Sequence, residues 1–341
     1  MRNGVAIYTP TSYGLRSIHP DAEVTLNAYK AVEAVFTEFR PQVVHLHDHF
    51  PLSWFVWWSA RRRKLPVVGA NHFMPENHSP YLPQWEKCQS LYRPMLWRWM
   101  LLLYNRLDCV TIQSAYAGRL LRAAGLRPPL VQITCGIDLT RFYPEPALDR
   151  RAVRARFGLS NERVVVLYLG RVDKEKRVDL LLSALQRLGR DDVQLAVAGR
   201  GAALESMKRL SDDLRLGDRV RFLGYAARED IRPLLNSADI FAMPSPAELL
   251  SIATLEAMAC ARPIVAAHAG ALPELVVDGE NGYLFQKDDP TDAARVLDRL
   301  VAASHHWQEM GERSRQRAAA HSWQDALRAY EAIYAGYAAA G

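Results

Sequence analysis

Four charged residues stand where a ligand-binding sheet would present them. The stretch Gly170-Arg171-Val172-Asp173-Lys174-Glu175-Lys176-Arg177 follows the run VVVLYL, which puts Arg171 in a loop and Lys176 near the start of the next helix. A planar guanidinium fork, a mobile ammonium and the amides of a helix N-terminus together suit a diphosphate. The same letters also read as a solvated charge cluster, because Asp173 and Glu175 can neutralise the cations locally. Further on, residues 244–258 read PSPAELLSIATLEAM directly after DIFAM, with Glu248 in the loop and Glu256 on the helix that follows. On one continuous helix these carboxylates would lie about 12 Å apart along the axis, far beyond the roughly 5–5.5 Å of a retaining glycosidase pair. The spacing argues against a double-carboxylate hydrolase. It suits two carboxylates gripping different parts of one long ligand, accepting hydrogen bonds from its hydroxyls while the intervening amides meet phosphate. A capping Glu followed by a solvent-facing Glu would give the same pattern.

Other candidates carry less. Gly199-Arg200-Gly201 follows a strand-like run, but Leu204 occupies the third glycine position of G-x-G-x-x-G, so no nicotinamide cofactor is expected. His72 follows PVVGA within NHFMPEN (71–77), where it can reach a ligand or merely bond within its loop. His45, His47 and His49 recur at period two on one face of strand and loop. No D-x-D or acidic partner pattern accompanies them, so metal binding is not expected.

The elements that must position these residues alternate. Short β-branched runs at 43–47, 66–70, 109–112 and 130–134 read as strands, with helical patterns at 51–64, 84–106 and 114–124 between them. A polar, proline-bearing segment at 136–148 interrupts the series. Strands then follow at 164–170, 193–199, 219–224, 239–243 and 263–267, and a pair of helices at 291–320 and 322–337 closes the chain. The reading is α/β, two doubly wound domains joined near residue 140, with ligands outside the carboxyl ends of the strands.

Composition excludes several classes. The chain has 341 residues, 49% apolar and 23% charged, which rules out a disordered tail or a disulfide-stapled miniprotein. Cys88, Cys109, Cys135 and Cys260 form no C-x-x-C pair, and the N-terminus has no signal-like apolar core, so a cytoplasmic location is expected. No stretch of about 18 uncharged apolar residues would span a membrane.

The net charge of +6 is all in the first part: residues 1–145 hold 16 Lys/Arg against 10 Asp/Glu, and the remainder balances. Six of the eight tryptophans are there too: Trp54, Trp57, Trp58, Trp85, Trp97 and Trp99. Trp54, Trp57 and Trp58 run into Arg61-Arg62-Arg63-Lys64, while Tyr92, Trp97, Trp99 and Tyr104 alternate with Lys87, Arg93, Arg98 and Arg106. Such mixtures suit helices at an anionic membrane surface, or core helices with snorkelling arginines. No motif supports nucleic-acid binding.

Glu248 to Glu256 is an E-x7-E pattern. With Gly170-Arg171…Lys176, FLG at 222–224, PELVVDGENGYLF at 273–285 and Cys135-Gly136-Ile137-Asp138…Arg141-Phe142, the sequence resembles the retaining nucleotide-sugar glycosyltransferases of family four, from about residue 40 onward. HFMPEN and SIATLEAM are similar to lipid-acceptor members such as diacylglycerol glucosyltransferases. The resemblance implies the GT-B fold, two Rossmann-like domains facing a cleft: 1–140 for the acceptor, 141–320 for the donor, and a helix at 321–341 crossing back to the first domain. It implies that Arg171 and Lys176, after Gly170, bind the donor diphosphate, Glu256 the ribose hydroxyls and Glu248 the transferred sugar. By the same resemblance the amides of Leu249, Leu250 and Ser251 approach sugar and phosphate, Gly224 and Tyr225 lie near the base, and His72 contacts donor sugar or acceptor. Many relatives have glycines where this chain has Leu249 and Leu250.

The implied reaction is front-face transfer of a hexose from a UDP-glucose or GDP-mannose type donor to a hydroxyl of a lipid or saccharide, with no cofactor or metal. Relatives also carry an initial strand, glycine-rich loop, helix and strand before the segment similar to Val5–Thr9, roughly forty to sixty residues, the size of a βαβ unit with its loop. The alternative expectation is therefore a truncated, non-catalytic nucleotide-sugar-binding protein or subunit.

Overall fold

The computed structural model describes residues 5–14, 23–25, 27–75 and 89–339. Two compact units emerge, Met1–Ile133 with Leu327–Gly341, and Thr134–Ala326. In the first, a short antiparallel pair, β1 (Tyr13–Gly14) and β2 (Glu23–Val24), precedes α1 (Tyr29–Phe39), β3 (Val44–Leu46), α2 (Pro51–Arg62), β4 (Val67–Ala70), α3 (Gln89–Tyr104), β5 (Cys109–Ile112), α4 (Ala115–Ala123) and β6 (Leu130–Gln132). Strands β3 to β6 form a parallel sheet in sequential order. The central strands, VVGA and CVTI, are buried at every position, as a parallel sheet covered on both faces requires. In β4 a side chain at Gly69 would push against the Leu107 methyl, so a larger residue there would have to displace it. Of the residues singled out above, Glu76, Asn77, Trp85, Lys87 and Cys88 lie outside the described residues.

The second unit contains α5 (Arg150–Phe157), β7 (Val164–Leu169), α6 (Val178–Leu188), β8 (Val193–Ala198), α7 (Leu204–Asp213), β9 (Val220–Gly224), α8 (Ile231–Ser237), β10 (Ile240–Met243), α9 (Ile252–Ala259), β11 (Ile264–Ala267), α10 (Leu272–Leu275), β12 (Gly282–Phe285), α11 (Pro290–Ala302) and α12 (Trp307–Ala319). Its six strands are parallel in the order β12-β11-β10-β7-β8-β9. The chain thus builds outward from β7 in one direction, returns to β7 and builds the other way. The topological switch point lies between the carboxyl ends of β7 and β10, where an open α/β sheet leaves a crevice.

Local chemistry sets the helix boundaries. Asp149 caps α5, its carboxylate accepting from Ala152 N at 3.0 Å, and Gly158 ends it with a left-handed φ of 65°. Asp289 accepts from the amides of Thr291 and Asp292 at the start of α11, with Pro290 in the first turn. The expected helix at 291–320 is in fact two, because α11 ends at Ala302 and a 3-10 turn, Ser304–His306, intervenes before α12.

The last helix, α13 (Trp323–Ala339), begins in the second unit and continues from Leu327 in the first. The division between units falls at Ile133/Thr134, ahead of residue 140. Ile137 donates its N–H to His321 O at 2.7 Å and accepts from Trp323 N at 3.0 Å, and its side chain is buried in the second unit's core. Among the described residues no helix is long and apolar enough to cross a membrane.

Candidate active site

The loop after β7 and the loop after β10 meet at the switch point through an ion pair. Lys176 Nζ donates to Glu248 Oε1 at 2.7 Å, with both side chains largely buried. Lys176 ends the 3-10 turn Lys174–Lys176, whose own amide bonds back to Asp173 O at 2.9 Å. Arg177 then takes a left-handed φ of 54° to enter α6. Arg171, half exposed, is held at both terminal nitrogens: Nη1 donates to Asp173 Oδ2 at 2.5 Å and Nη2 to Glu175 Oε1. Both carboxylates are buried. Asp173 also accepts from Ala202 N at 2.9 Å, tying the loop after β7 to the one after β8. A side chain at Gly199 would meet Gly170 O at 1.7 Å, and one at Gly201 would meet Val172 O at 2.3 Å, so the Gly199-Arg200-Gly201 turn serves close backbone approach.

Glu248 is fixed from behind. Its carbonyl accepts from Ala271 N at 2.9 Å, and Gly270, with a φ of 58°, lies so close that a Cβ there would sit 2.5 Å from the same oxygen. Leu249 and Leu250 have buried side chains, Leu250 within the core cluster, so their bulk is turned into the fold. Ser251 caps α9, its hydroxyl oxygen accepting from Thr254 N at 3.4 Å and from Thr254 Oγ1 at 2.8 Å. Glu256 lies on the second turn of α9, half-buried. Burial pushes its carboxyl up to about 7, with the Arg141 guanidinium acting in the opposite direction. Burial likewise raises the Glu175 carboxyl, opposed by Lys176 and Arg171 and reinforced by Asp173 and Glu248.

At the other side of the sheet, Gly224 ends β9 with a φ of 69°, and its carbonyl accepts from Gly199 N at 2.6 Å. Tyr225 is exposed, with the Arg200 guanidinium 5.4 Å from its ring centroid. A flat aromatic face backed by a cation lies there, open to a planar ring.

In the first unit, His72 follows β4 at the surface, its ring partly covered by the stacked His47 ring. Its Nε2 lies 3.0 Å from His47 Nδ1 and its Nδ1 is hydrogen-bonded to Gln113. The His47 and His72 rings stack at 5.3 Å, His45 and His47 are 4.2 Å apart, and His45 Nδ1 is 2.6 Å from Tyr334 Oη on α13. Burial holds all three imidazoles below their usual range, His45 at about 4, and their mutual proximity adds to this at His45 and His72. His49 departs from the row and is buried among Phe50, Phe73 and Tyr104. Among the described residues no group of three or more His, Cys, Asp or Glu is arranged to hold a metal ion.

The structure therefore pairs Lys176 with Glu248, and Arg171 with Asp173 and Glu175. Three partners lie beyond the sequence reading: Asp173 and Glu175, which it treats only as neutralising charge, and Gln113. Gln113 stands directly after β5, so the rule that led to His72 would also have found it.

Comparison with known proteins agrees with this architecture. The model for "Glycosyltransferase Family 4" matches residues 5–141, and that for "Glycosyl transferases group 1" matches residues 149–317. A D-inositol 3-phosphate glycosyltransferase of Streptomyces bingchenggensis is 31% identical, over 84% of this chain and 68% of its own length. One from a Mycobacterium species is 33% identical over 75% of this chain, which spans 58% of that relative. Among solved structures, sucrose-phosphate synthase from Thermosynechococcus elongatus superimposes with a TM-score of 0.77 at 23% identity, covering 92% of this chain and 78% of the other. Anabaena Alr3699/HepE in complex with UDP-glucose gives 0.76 at 21% identity, covering 89% and 81%. Fold and matches define a nucleotide-sugar glycosyltransferase with the GT-B fold. The chain belongs to glycosyltransferase family 4, the retaining group.

Proposed function

We propose that this chain transfers a hexose from a UDP-sugar to a hydroxyl acceptor with retention of configuration. The observation that carries this reading is the Lys176–Glu248 pair at the switch point, with Arg171 beside it and Glu256 on the helix that follows. Arg171 and Lys176 take the diphosphate, Glu248 the sugar hydroxyls, Glu256 the ribose hydroxyls, and Gly224 and Tyr225 border the base. The amides of Leu249, Leu250 and Ser251 approach sugar and phosphate, and His72 serves the acceptor hydroxyl.

In the transfer step the bond between the sugar's anomeric carbon and the phosphate oxygen breaks, and the acceptor oxygen bonds to that carbon on the same face. The acceptor proton passes to the departing phosphate oxygen. No protein nucleophile is required; the cations neutralise charge on the leaving group. A UDP donor is favoured over GDP by the likeness to Alr3699/HepE, whose structures hold UDP and UDP-glucose. The relatives named for inositol 3-phosphate point to a small phosphorylated polyol as acceptor.

A second acceptor, the headgroup hydroxyl of a membrane lipid, is favoured by one observation. Met95, Trp99 and Leu102 lie on one face of α3 and are exposed, as is Trp58 on α2, beside Arg61, Arg62, Arg63, Lys64, Arg98 and Arg106. Such a face suits peripheral contact with an anionic membrane. The test compares UDP-glucose with GDP-mannose, without added metal, using a phosphorylated polyol or anionic diacylglycerol vesicles as acceptor. Transfer from UDP-glucose supports the reading and the acceptor used decides between the two. Binding without turnover would instead favour a nucleotide-sugar-binding subunit.

A further inference from the structure

Two buried carboxylates beside the donor cations have no part in the transfer described above. Asp173 and Glu175 each hold one terminal nitrogen of Arg171, and Asp173 is itself pinned by the Ala202 amide at 2.9 Å. An arginine this exposed carries a large rotamer entropy, which a grip on both nitrogens removes before a ligand arrives. The arrangement is electrostatically unusual for an anion site: Arg171 pairs with Asp173 and Glu175, Lys176 pairs with Glu248, and the other four all act on Glu175, so three acids stand against two bases. A diphosphate adds further negative charge to it.

We propose that Glu175 is a positioning residue that aims the Arg171 fork at the donor diphosphate, and that its carboxyl takes up a proton as the donor binds. This rests on the donor-site reading above. Burial already favours the protonated form of Glu175, with Asp173 and Glu248 acting the same way and Arg171 and Lys176 opposing them. A diphosphate that draws the two cations to itself weakens that opposition, and the Glu175 proton affinity rises. A protonated Glu175 still accepts from Arg171 through its carbonyl oxygen, so the fork keeps its aim while one unit of repulsion disappears.

The probe is UDP-glucose, a diphosphate diester without a titrating oxygen near neutral pH, bound to the full chain. Calorimetry in buffers of different ionisation enthalpy counts protons exchanged per donor. Wild-type protein is expected to take up more protons than Glu175→Gln near pH 7, and the difference isolates Glu175 because any proton released from Glu256 is common to both. Glu175→Gln, which keeps an oxygen for Arg171, should hold donor KM within about threefold, whereas Glu175→Ala should raise it about tenfold with a much smaller change in kcat. Melting curves check that both variants fold.

Equal proton counts in wild type and Glu175→Gln, or an unchanged KM in Glu175→Ala, would overturn this inference while leaving the donor site standing. Failure of wild-type protein to bind UDP-glucose would overturn both.

Discussion

In the second unit the candidate site is charged and already paired, Lys176 with Glu248 and Arg171 with Asp173 and Glu175, on loops rooted in a buried six-stranded sheet. In the first unit imidazole rings line the strand ends, and exposed large apolar side chains gather on α2 and α3. On the reading proposed above, the contrast separates two recognition problems. A donor has one fixed diphosphate, so groups that neutralise it can be set in advance and cost little reorganisation. An acceptor presents only a hydroxyl on a variable body, which polar precision serves less well than a shaped or apolar surface.

The largest effect expected of this division is at Lys176. Lys176→Ala removes the charge proposed to face the leaving group and should lower kcat/KM by about 10³-fold. It also leaves the Glu248 carboxylate buried without the Lys176 ammonium, so a melting curve must accompany the rate. Near-wild-type turnover in a folded variant would erase the distinction drawn between the two units.

Glu256 gives the next effect. Its carboxyl stands at about 7, above the 4.5 of an ordinary glutamate, because it is buried. A group whose native value is raised binds its proton more tightly when folded. Its stabilising contribution is complete below about pH 4.5 and is lost as pH rises through about 7. Glu256→Gln should therefore melt higher than wild type at about pH 8, by an amount on the order of 3 kcal/mol, and lose that advantage near pH 4. In wild type, donor affinity should rise with pH through about 7, as the carboxylate proposed to accept the ribose hydroxyls forms; the glutamine variant should lack this slope. Equal melting temperatures at both pH values would show that Glu256 is not a buried, raised carboxyl.

The same contrast governs what the sequence could reveal. Strands of the second unit announced themselves because parallel strands covered on both faces are continuous apolar runs, and VVVLYL, VQLAVA and IFAM were read to within a residue. Glu248 and Lys176 were legible as types at strand ends, but their pairing was not, since it joins residues 72 positions apart. The first helix, Tyr29–Phe39, and the final strand, Gly282–Phe285, were not read as elements. The former precedes the regular alternation. The latter lay inside a stretch used only as a motif, and its glycine weakens any strand signal. The histidine row required two strands and α13 to be brought together, which no local pattern encodes.

On the first unit, replacing Met95, Trp99 and Leu102 together by Ser removes apolar area from the exposed face of α3. Binding to anionic vesicles should fall by at least about tenfold, with UDP-glucose binding by the second unit unchanged. Retained vesicle binding would assign these side chains to some other partner and weaken the lipid acceptor. A simultaneous loss of donor binding would show that the two recognition surfaces are not separable as the comparison supposes.

The smallest expected effect concerns how the first unit tunes its histidine. His72 is held below the usual imidazole range first by burial and then by the neighbouring His47, whose positive charge would oppose its own. His47→Ala removes the nearby charge and admits water where the ring stacked, and both changes push the His72 value upward. The neutral imidazole, the form able to accept a hydrogen bond from the acceptor hydroxyl while its proton goes to the leaving phosphate, then persists only to a higher pH limit on the acid side. If His72 serves the acceptor, the acid limb of the transfer rate should shift to higher pH by less than about one unit, and its imidazole resonances should titrate with it. A shifted His72 titration without a shifted rate profile would leave the row intact as structure but remove His72 from the reaction. That outcome would place the chemistry entirely with the paired charges of the second unit.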